Sequence, residues 1–408
     1  MEIKGYSALW KAVIRPPRHP YRLEDMGPVD FVIDNIRVHR TDLVLTNQFG
    51  NKIQCSHYEP HESARGWKDL PCVIYMHGNS SSRLEALEAV SYLLPSNISL
   101  FCFDFAGCGM SEGEYISLGW FEREDLHMIV EHLRKERRCS TIGLWGRSMG
   151  AVTSLLHGDR DPSIAGMVLD SPFSSMKDLV GELSRKYTKI PNFLVSVALK
   201  FVRGTIRSKA NFDIYDLTPI SHVKECFIPA LFATATADDF ILPHHSEKLH
   251  AAYAGDKNLI TFEGDHNSPR PEFFFISVVN FFNNTLQVSS LLRDDNKFVP
   301  RKLSPSEKLL FAPQIGPKKK FKGNMGEVPF DPSVLNIMSM AGKSGGDNGD
   351  FDDLHAGHDG DEDRHISINQ SAMMTNARPR VEQVSQLHSG GDEDYVHVQP
   401  DRVQYPAG

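Results

Sequence analysis

Short apolar runs and longer amphipathic stretches take turns along the middle of this chain. Cys72-Val73-Ile74-Tyr75-Met76 is apolar throughout, Arg83 to Leu94 has helical spacing, Ile98 to Phe103 is again apolar, and Trp120 to Arg134 returns to helical spacing. Thr141 to Trp145, the stretch after Ser148, and Ile164 to Leu169 extend the series. It resumes with Ala230 to Ala233, His245 to Tyr253, Asn258 to Phe262 and a closing helix that carries Phe273-Phe274-Phe275-Ile276 and ends near Phe282. Strands that are apolar on both faces, separated by amphipathic helices, predict an α/β fold: a mostly parallel sheet covered by helices on both sides. Such sheets place their chemistry beyond the carboxyl ends of the strands.

The rhythm also marks the boundaries. Residues 1–28, rich in Pro and Arg, are expected to pack as an irregular arm, and the α/β domain is expected over 29–290. It opens on two strand candidates, Val29 to Val38 and a second from Leu43 that resumes after the Asn47-Gln48-Phe49-Gly50-Asn51 turn signal, the pattern of a hairpin. Across 171–229 the alternation lapses, and Phe193 to Val202 forms an apolar helix candidate that carries Lys200 and is trailed by Arg203, Arg207 and Lys209. An insertion there is expected to be a small helical cap over the site. It reads either as a lid facing acyl chains or a membrane, or as an ordinary cap helix with a buried apolar side. Residues 291–340 read as a linker. Residues 341–408, rich in Gly, Asp, His and Ser, bury too little apolar surface to offset chain entropy and read as a disordered acidic tail.

Charge sharpens this division. The formal net charge is -8, and residues 341–408 hold 13 Asp or Glu against 5 Lys or Arg, so the preceding residues are formally neutral. That balance argues against nucleic acid as a partner. The six cysteines form no C-x-x-C pair, which argues against zinc or redox chemistry and fits reduced thiols inside the cell. No stretch of 18 apolar residues predicts a membrane span, and the first residues lack a secretory pattern. A cytoplasmic location is therefore expected, with peripheral membrane contact through the cap as the alternative.

Gly146-Arg147-Ser148-Met149-Gly150 lies where the Ser140 to Trp145 run meets the apolar Ala151 to His157 stretch. A serine on a sharp strand-to-helix turn needs small neighbours, because side chains at both glycine positions would collide across the turn. A serine hydroxyl is a weak nucleophile and needs a base with a third group to orient it. Asp238, after the Ala230 to Ala233 strand, is the expected acid and His266, after Asn258 to Phe262, the expected base. Asp239 and Asp170 remain alternative acids. His244 and His245 suit a helix cap or the surface better than base chemistry. Negative charge developing on a tetrahedral intermediate calls for backbone donors, for which Met149 and Asn79 are expected, with Ser80 the alternative to Asn79. His77 is expected to support the Asn79 loop. Gly107-Cys108-Gly109-Met110-Ser111 lacks both a G-x-G-x-x-G pattern and a Walker lysine, so it reads as a loop rather than a phosphate cradle.

Taken in order, His77-Gly78-Asn79, Asp104-Phe105-Ala106-Gly107-Cys108-Gly109-Met110-Ser111, Gly146-Arg147-Ser148-Met149-Gly150 and Gly264-Asp265-His266-Asn267 resemble the α/β-hydrolase superfamily over residues 25–285. The chain is most similar to the serine aminopeptidase-like branch and to the depalmitoylating hydrolases related to it. The resemblance implies an α/β-hydrolase fold, a Ser148 nucleophile and Asp238 at the catalytic acid position. The function expected is a serine hydrolase that acts by acyl transfer on small carboxylic esters or thioesters, or on an acylated protein, without metal or organic cofactor. A serine peptidase or aminopeptidase, and a catalytically silent interaction module, stand as alternatives.

Overall fold

The computed structural model describes residues 6–62, 65, 69–135, 139–187 and 192–288. The linker expected over 291–340 and the tail over 341–408 lie outside the described residues. The expected arm is not irregular throughout, since Tyr6–Ile14 forms helix α1. Its Trp10 and Ile14 are buried, which gives the segment an apolar stripe to dock.

The opening strands also differ from the expected hairpin. The Val29 to Val38 run is divided: Asp30–Ile33 is β1, Ile36–Thr46 is β2, and Asp34 and Asn35 between them have φ of 49° and 63°. Two consecutive residues with positive φ make the turn whose twist matches a tight hairpin, and Asp and Asn tolerate it better than most side chains. The second turn falls where it is expected. The Asn47 Oδ1 accepts the N–H groups of Phe49 and Asn51 at 3.0 and 2.9 Å, and β3 follows over Lys52–Pro60.

The parallel strands then appear in turn. Leu70–Met76 is β4, Leu87–Leu93 α2, Ser99–Phe103 β5, Glu122–Lys135 α3, Cys139–Arg147 β6, Met149–Gly158 α4 and Gly166–Asp170 β7. Three helices fill the expected cap region: Met176–Tyr187 (α5), Asn192–Ala210 (α6) and Pro219–His222 (α7). Ala230–Ala235 is β8, His244–Ala252 α8, Lys257–Phe262 β9 and Glu272–Thr285 α9.

The described strands form one nine-stranded sheet in the order β1-β2-β3-β5-β4-β6-β7-β8-β9. Pairing is antiparallel from β1 through β3 to β5 and parallel from β5 to β9. Strand alternation divides the core. Ile74, Phe101 and Leu144 face α3 and α4, whereas Val73, Tyr75 and Trp145 face α2 and α9. Trp145 lies 6.0 Å, centroid to centroid, from both Phe274 and Phe275 of α9. All ten residues of α4 are buried, which explains why its sequence has no polar stripe. The chain leaves β4 for β5 on one side and then takes β6 on the other, so a crevice opens at the carboxyl ends of β4 and β6.

In the cap, Val202 and Ile206 of α6 are buried and Phe201 is exposed. The Tyr6 hydroxyl donates to the Phe201 carbonyl at 2.9 Å and also meets Thr205. The α6 basic residues are largely engaged: Arg203 pairs with Asp213, and the Lys209 ammonium sits 4.8 Å over the Trp10 ring. None of the described helices is long and apolar enough to cross a membrane.

Candidate active site

Ser148 occupies the step between β6 and α4 with φ 51° and ψ -112°. The left-handed φ with this ψ is costly for a residue with a Cβ and persists only where surrounding packing enforces it. The two flanking glycines show that packing directly. A Cβ on Gly146 would lie 2.2 Å from the Gly150 carbonyl oxygen, and one on Gly150 would lie 2.2 Å from that of Met76. The Ser148 N–H donates to the Asp170 carbonyl at 2.7 Å, and its own carbonyl accepts from Val152 at 3.0 Å, starting the helix.

Two later loops bring His266 and Asp238 together. His266 Nδ1 is 2.7 Å from Asp238 Oδ2, with the carboxylate side chain fully buried and the imidazole 12% exposed. The other carboxylate oxygen of Asp238 accepts the N–H groups of Phe240 and Ile241 at 3.0 and 2.8 Å, so the acid cannot swing away without losing both. Phe240 packs on the imidazole with ring centroids 5.3 Å apart.

The alternative acids are engaged elsewhere. Asp239 is exposed and binds Lys186 Nζ at 2.5 Å. Asp170 accepts from Arg270 Nε and Nη2 at 2.7 and 2.9 Å and from the Ser171 hydroxyl at 2.9 Å. Burial acts to raise the Asp170 carboxyl, but Arg270, Arg147 and Ser171 outweigh it and hold it below its ordinary range. His245 is not at the surface: it is fully buried between Glu182 and Ser174. Because the Ser174 N–H points at Nδ1 (3.2 Å), the proton of a neutral His245 ring sits on Nε2 and is donated to Glu182 at 2.9 Å.

The loop after β4 lies against the serine. A Cβ on Gly78 would stand 3.8 Å from Ser148 Cβ, so Asn79 follows immediately in the loop beside Ser148, and Ser80 turns with φ 58°. His77 is fully buried and supports this loop. Its Nε2 accepts the Phe105 N–H at 3.1 Å, so Nδ1 carries the proton and donates to the Gly78 carbonyl at 2.7 Å. The glycine loop is held by Asp104, whose carboxylate accepts from Tyr21, from the backbone of Arg83 and from the backbone of Met110. That buried carboxylate occupies the space a Gly109 side chain would need. The pattern is a loop anchor.

Three positioning residues escaped the sequence reading. Glu85 accepts from the Gly78 N–H and from Arg147 Nη1, both at 3.0 Å. Arg147 also donates to the His266 carbonyl at 2.8 Å, and Arg270 reaches the same carbonyl at 3.3 Å. Burial raises the Glu85 carboxyl, but Arg147 and the Gly78 N–H override it and hold it low. Burial likewise opposes the Arg147 cation, and Glu85 more than compensates. This charged network ties the Asn79 loop, the serine turn and the histidine loop together. Arg147 at the second position of the pentapeptide was its one local signal; Glu85 and Arg270 lie far away in sequence. Away from this site, a contact of His57 Nε2 with Ser99 Oγ at 3.2 Å is buried near the opposite end of the strands.

Comparison with known proteins agrees with this architecture. The family model described as serine aminopeptidase, S33, matches residues 69–215. An uncharacterized protein of Bacillus subtilis, YqkD, is 27% identical over 237 residues, covering 56% of this chain and 74% of that protein. The alpha/beta hydrolase domain-containing protein WAV2 of Arabidopsis thaliana is 25% identical over 227 residues, covering 54% of this chain and 69% of its own. Among solved structures, the Pyrococcus furiosus esterase Pf2001 superposes with a TM-score of 0.51 at 19% identity, covering 67% of this chain and 98% of that one. The chain has the α/β-hydrolase fold, and its residues 69–215 are similar to the S33 serine aminopeptidase family.

Proposed function

We propose that Ser148, His266 and Asp238 act as nucleophile, base and acid in the hydrolysis of small carboxylic esters or thioesters. The observation that carries this reading is the Asp238–His266 hydrogen bond of 2.7 Å, with the His266 loop tied to the strained serine turn through Arg147. His266 removes the Ser148 proton as Oγ attacks the acyl carbon, and Asp238 favours the imidazolium that forms. The Met149 and Asn79 backbone N–H groups stabilise the oxyanion, aided by the amino end of α4. The protonated His266 gives its proton to the leaving group, and a water activated by the same histidine then releases the acyl group. Esters and thioesters come before peptides because an amine leaves only after protonation, whereas an alkoxide or thiolate needs less help. Acylated proteins are substrates of the same chemical class. Membrane contact through the cap rests on exposed Phe201, with Lys200 beside it on α6.

A fluorophosphonate probe tests the reading. The wild-type chain is expected to label and the Ser148→Ala variant to remain unlabelled; equal labelling of the two, or of neither while both are folded, refutes it. Initial rates on short p-nitrophenyl esters, acyl thioesters and aminoacyl amides then rank the substrate classes. A preference for amides would favour the peptidase alternative.

A further inference from the structure

A second cluster of reactive side chains lies at the other end of the sheet. His57 comes from β3, Cys72 from β4 and Cys139 from the first position of β6. One ligand atom from each lies within 4.8 Å of the other two, and Cys72 Sγ is 3.9 Å from His57 Nε2. All three cysteine and histidine side chains reach this point from positions far apart in sequence, which is why a search for paired cysteines finds nothing. A register shift helps to assemble them. Leu70 pairs with Cys139 and Cys72 with Ile142, so β6 holds one residue more than β4 over this interval. A bulge of this kind re-aims a side chain at the end of a strand pair.

We propose that His57, Cys72 and Cys139 form a binding site for a thiophilic d10 cation, with zinc as the ion it fits best. With zinc–sulfur bonds of about 2.3 Å and zinc–nitrogen bonds of about 2.0 Å, tetrahedral ligands lie roughly 3.5–3.8 Å apart. The present spacing needs only small side-chain movements to reach that. Two thiolates and an imidazole are a soft-to-borderline donor set, unsuited to magnesium or calcium, and too few thiolates for an iron–sulfur cluster. Binding is balanced as the divalent ion plus two thiols giving a neutral dithiolate complex and two protons. That neutrality suits a site where His57 and Cys72 are buried. The orientation of the imidazole is also prepared: Glu59 Oε2 faces Nδ1 at 3.5 Å, and Nε2 faces the Cys72 thiol at 3.9 Å, where the ion would displace its present contact with the Ser99 hydroxyl at 3.2 Å. A carboxylate on the far nitrogen is the usual support of a metal-bound histidine, and Arg65 balances Glu59 at 3.2 Å. Solvent completes the tetrahedron on the side of Cys139, which is less buried than Cys72.

The role is a staple. Cys139 and Arg147 are the two ends of β6, and a strand of that length spans roughly 26 Å, too far for the ion to act on a substrate at Ser148. The ion instead ties three strands together where the β4–β6 pairing is irregular.

The test uses the full chain, purified under reducing conditions and stripped with chelator. Added zinc is expected to bind at one equivalent by elemental analysis after gel filtration and to raise the midpoint of thermal unfolding. Cobalt in its place should give the intense visible bands of a tetrahedral site together with thiolate-to-cobalt charge transfer. Cys72→Ser and Cys139→Ser are each expected to weaken zinc binding by about 10- to 100-fold or more. Cys108→Ser and Ser148→Ala should each retain the full equivalent. In case a site variant fails to fold, the wild-type chain provides its own check: zinc should slow alkylation of Cys139 by iodoacetamide, read by mass spectrometry. No bound zinc with unchanged alkylation, or an undiminished equivalent in the Cys72→Ser/Cys139→Ser double variant, overturns the proposal. So does a Cys72–Cys139 disulfide that persists in the reduced preparation.

Discussion

At Ser148 the backbone is held in a conformation that costs of the order of 1–3 kcal/mol, and Gly146, Gly150 and the Asp170 carbonyl are what keep it there. The residue-scale question is which acid serves His266, since Asp238 and Asp239 are adjacent in sequence. Geometry separates them: the Asp238 side chain is fully buried on the imidazole, while Asp239 is exposed on Lys186. Asp238→Asn keeps the shape but loses the charge and is expected to lower kcat by roughly 10³–10⁴-fold. Asp239→Asn should change kcat less than about threefold, because it breaks an exposed ion pair of small energetic weight. Steady-state kinetics on a p-nitrophenyl ester checks both, and the reverse order would reassign the acid. Sequence order alone favoured Asp238 through the motif resemblance. Glu85 and Arg270 had no such signal, because what they do depends on side chains brought together from separate loops.

At the scale of elements, the loop between β5 and α3 shows how buried acids fix irregular backbone. Asp104 holds one part of it and Asp125 the other, accepting from the Ala106 N–H at 3.0 Å and from Asn47 Nδ2 at 2.7 Å. Burial outweighs these donors and pushes the Asp125 carboxyl from 3.8 up to about 7. A carboxyl raised by folding holds its proton more tightly in the folded state. Its contribution is therefore complete below pH 3.8 and is lost as pH rises through about 7. The loss is of the order of 4 kcal/mol over that window. Asp125→Asn cannot titrate, so its denaturant-derived stability should fall less than that of wild type between pH 4 and pH 8. Parallel profiles for the two proteins would show that Asp125 is not the group responsible. The elements themselves were mostly legible, because an all-apolar strand or an amphipathic helix is a local pattern. The exceptions were local too: the Asp34–Asn35 turn splits a run whose apolar residues read as continuous, and α1 docks Trp10 and Ile14 into the core from a segment too short to show a clear period.

At the scale of the whole molecule, the chemistry expected from the sequence belongs to the part built on the nine-stranded sheet. The acidic stretch 341–408 carries the formal charge of the chain but no apolar pattern that a core could use. Removing residues 341–408 is expected to leave a single cooperative thermal transition and undiminished fluorophosphonate labelling. Loss of that transition on calorimetry would mean that the removed segment contributes to folding. The cap belongs to this scale as well. Its sequence allowed either a lid facing acyl chains or a membrane or an ordinary cap helix; buried Val202 and Ile206 and the Arg203–Asp213 pair hold α6 in place, while exposed Phe201 is the residue on which the proposed membrane contact rests.

The sequence by itself determined the order of strands and helices, the α/β class and the position of the serine turn. Each of these follows from hydrophobic period or from the small residues that a tight turn demands. Only the tertiary structure decided that Asp238 rather than Asp239 meets His266, and that Asp170 is committed to Arg270. It alone joined Glu85 and Arg147 to the histidine loop and drew His57, Cys72 and Cys139 to one point. The physical reason is range. Period and turn chemistry act over a few residues, whereas hydrogen bonds and ligand geometry depend on ångström distances set by how distant strands pair.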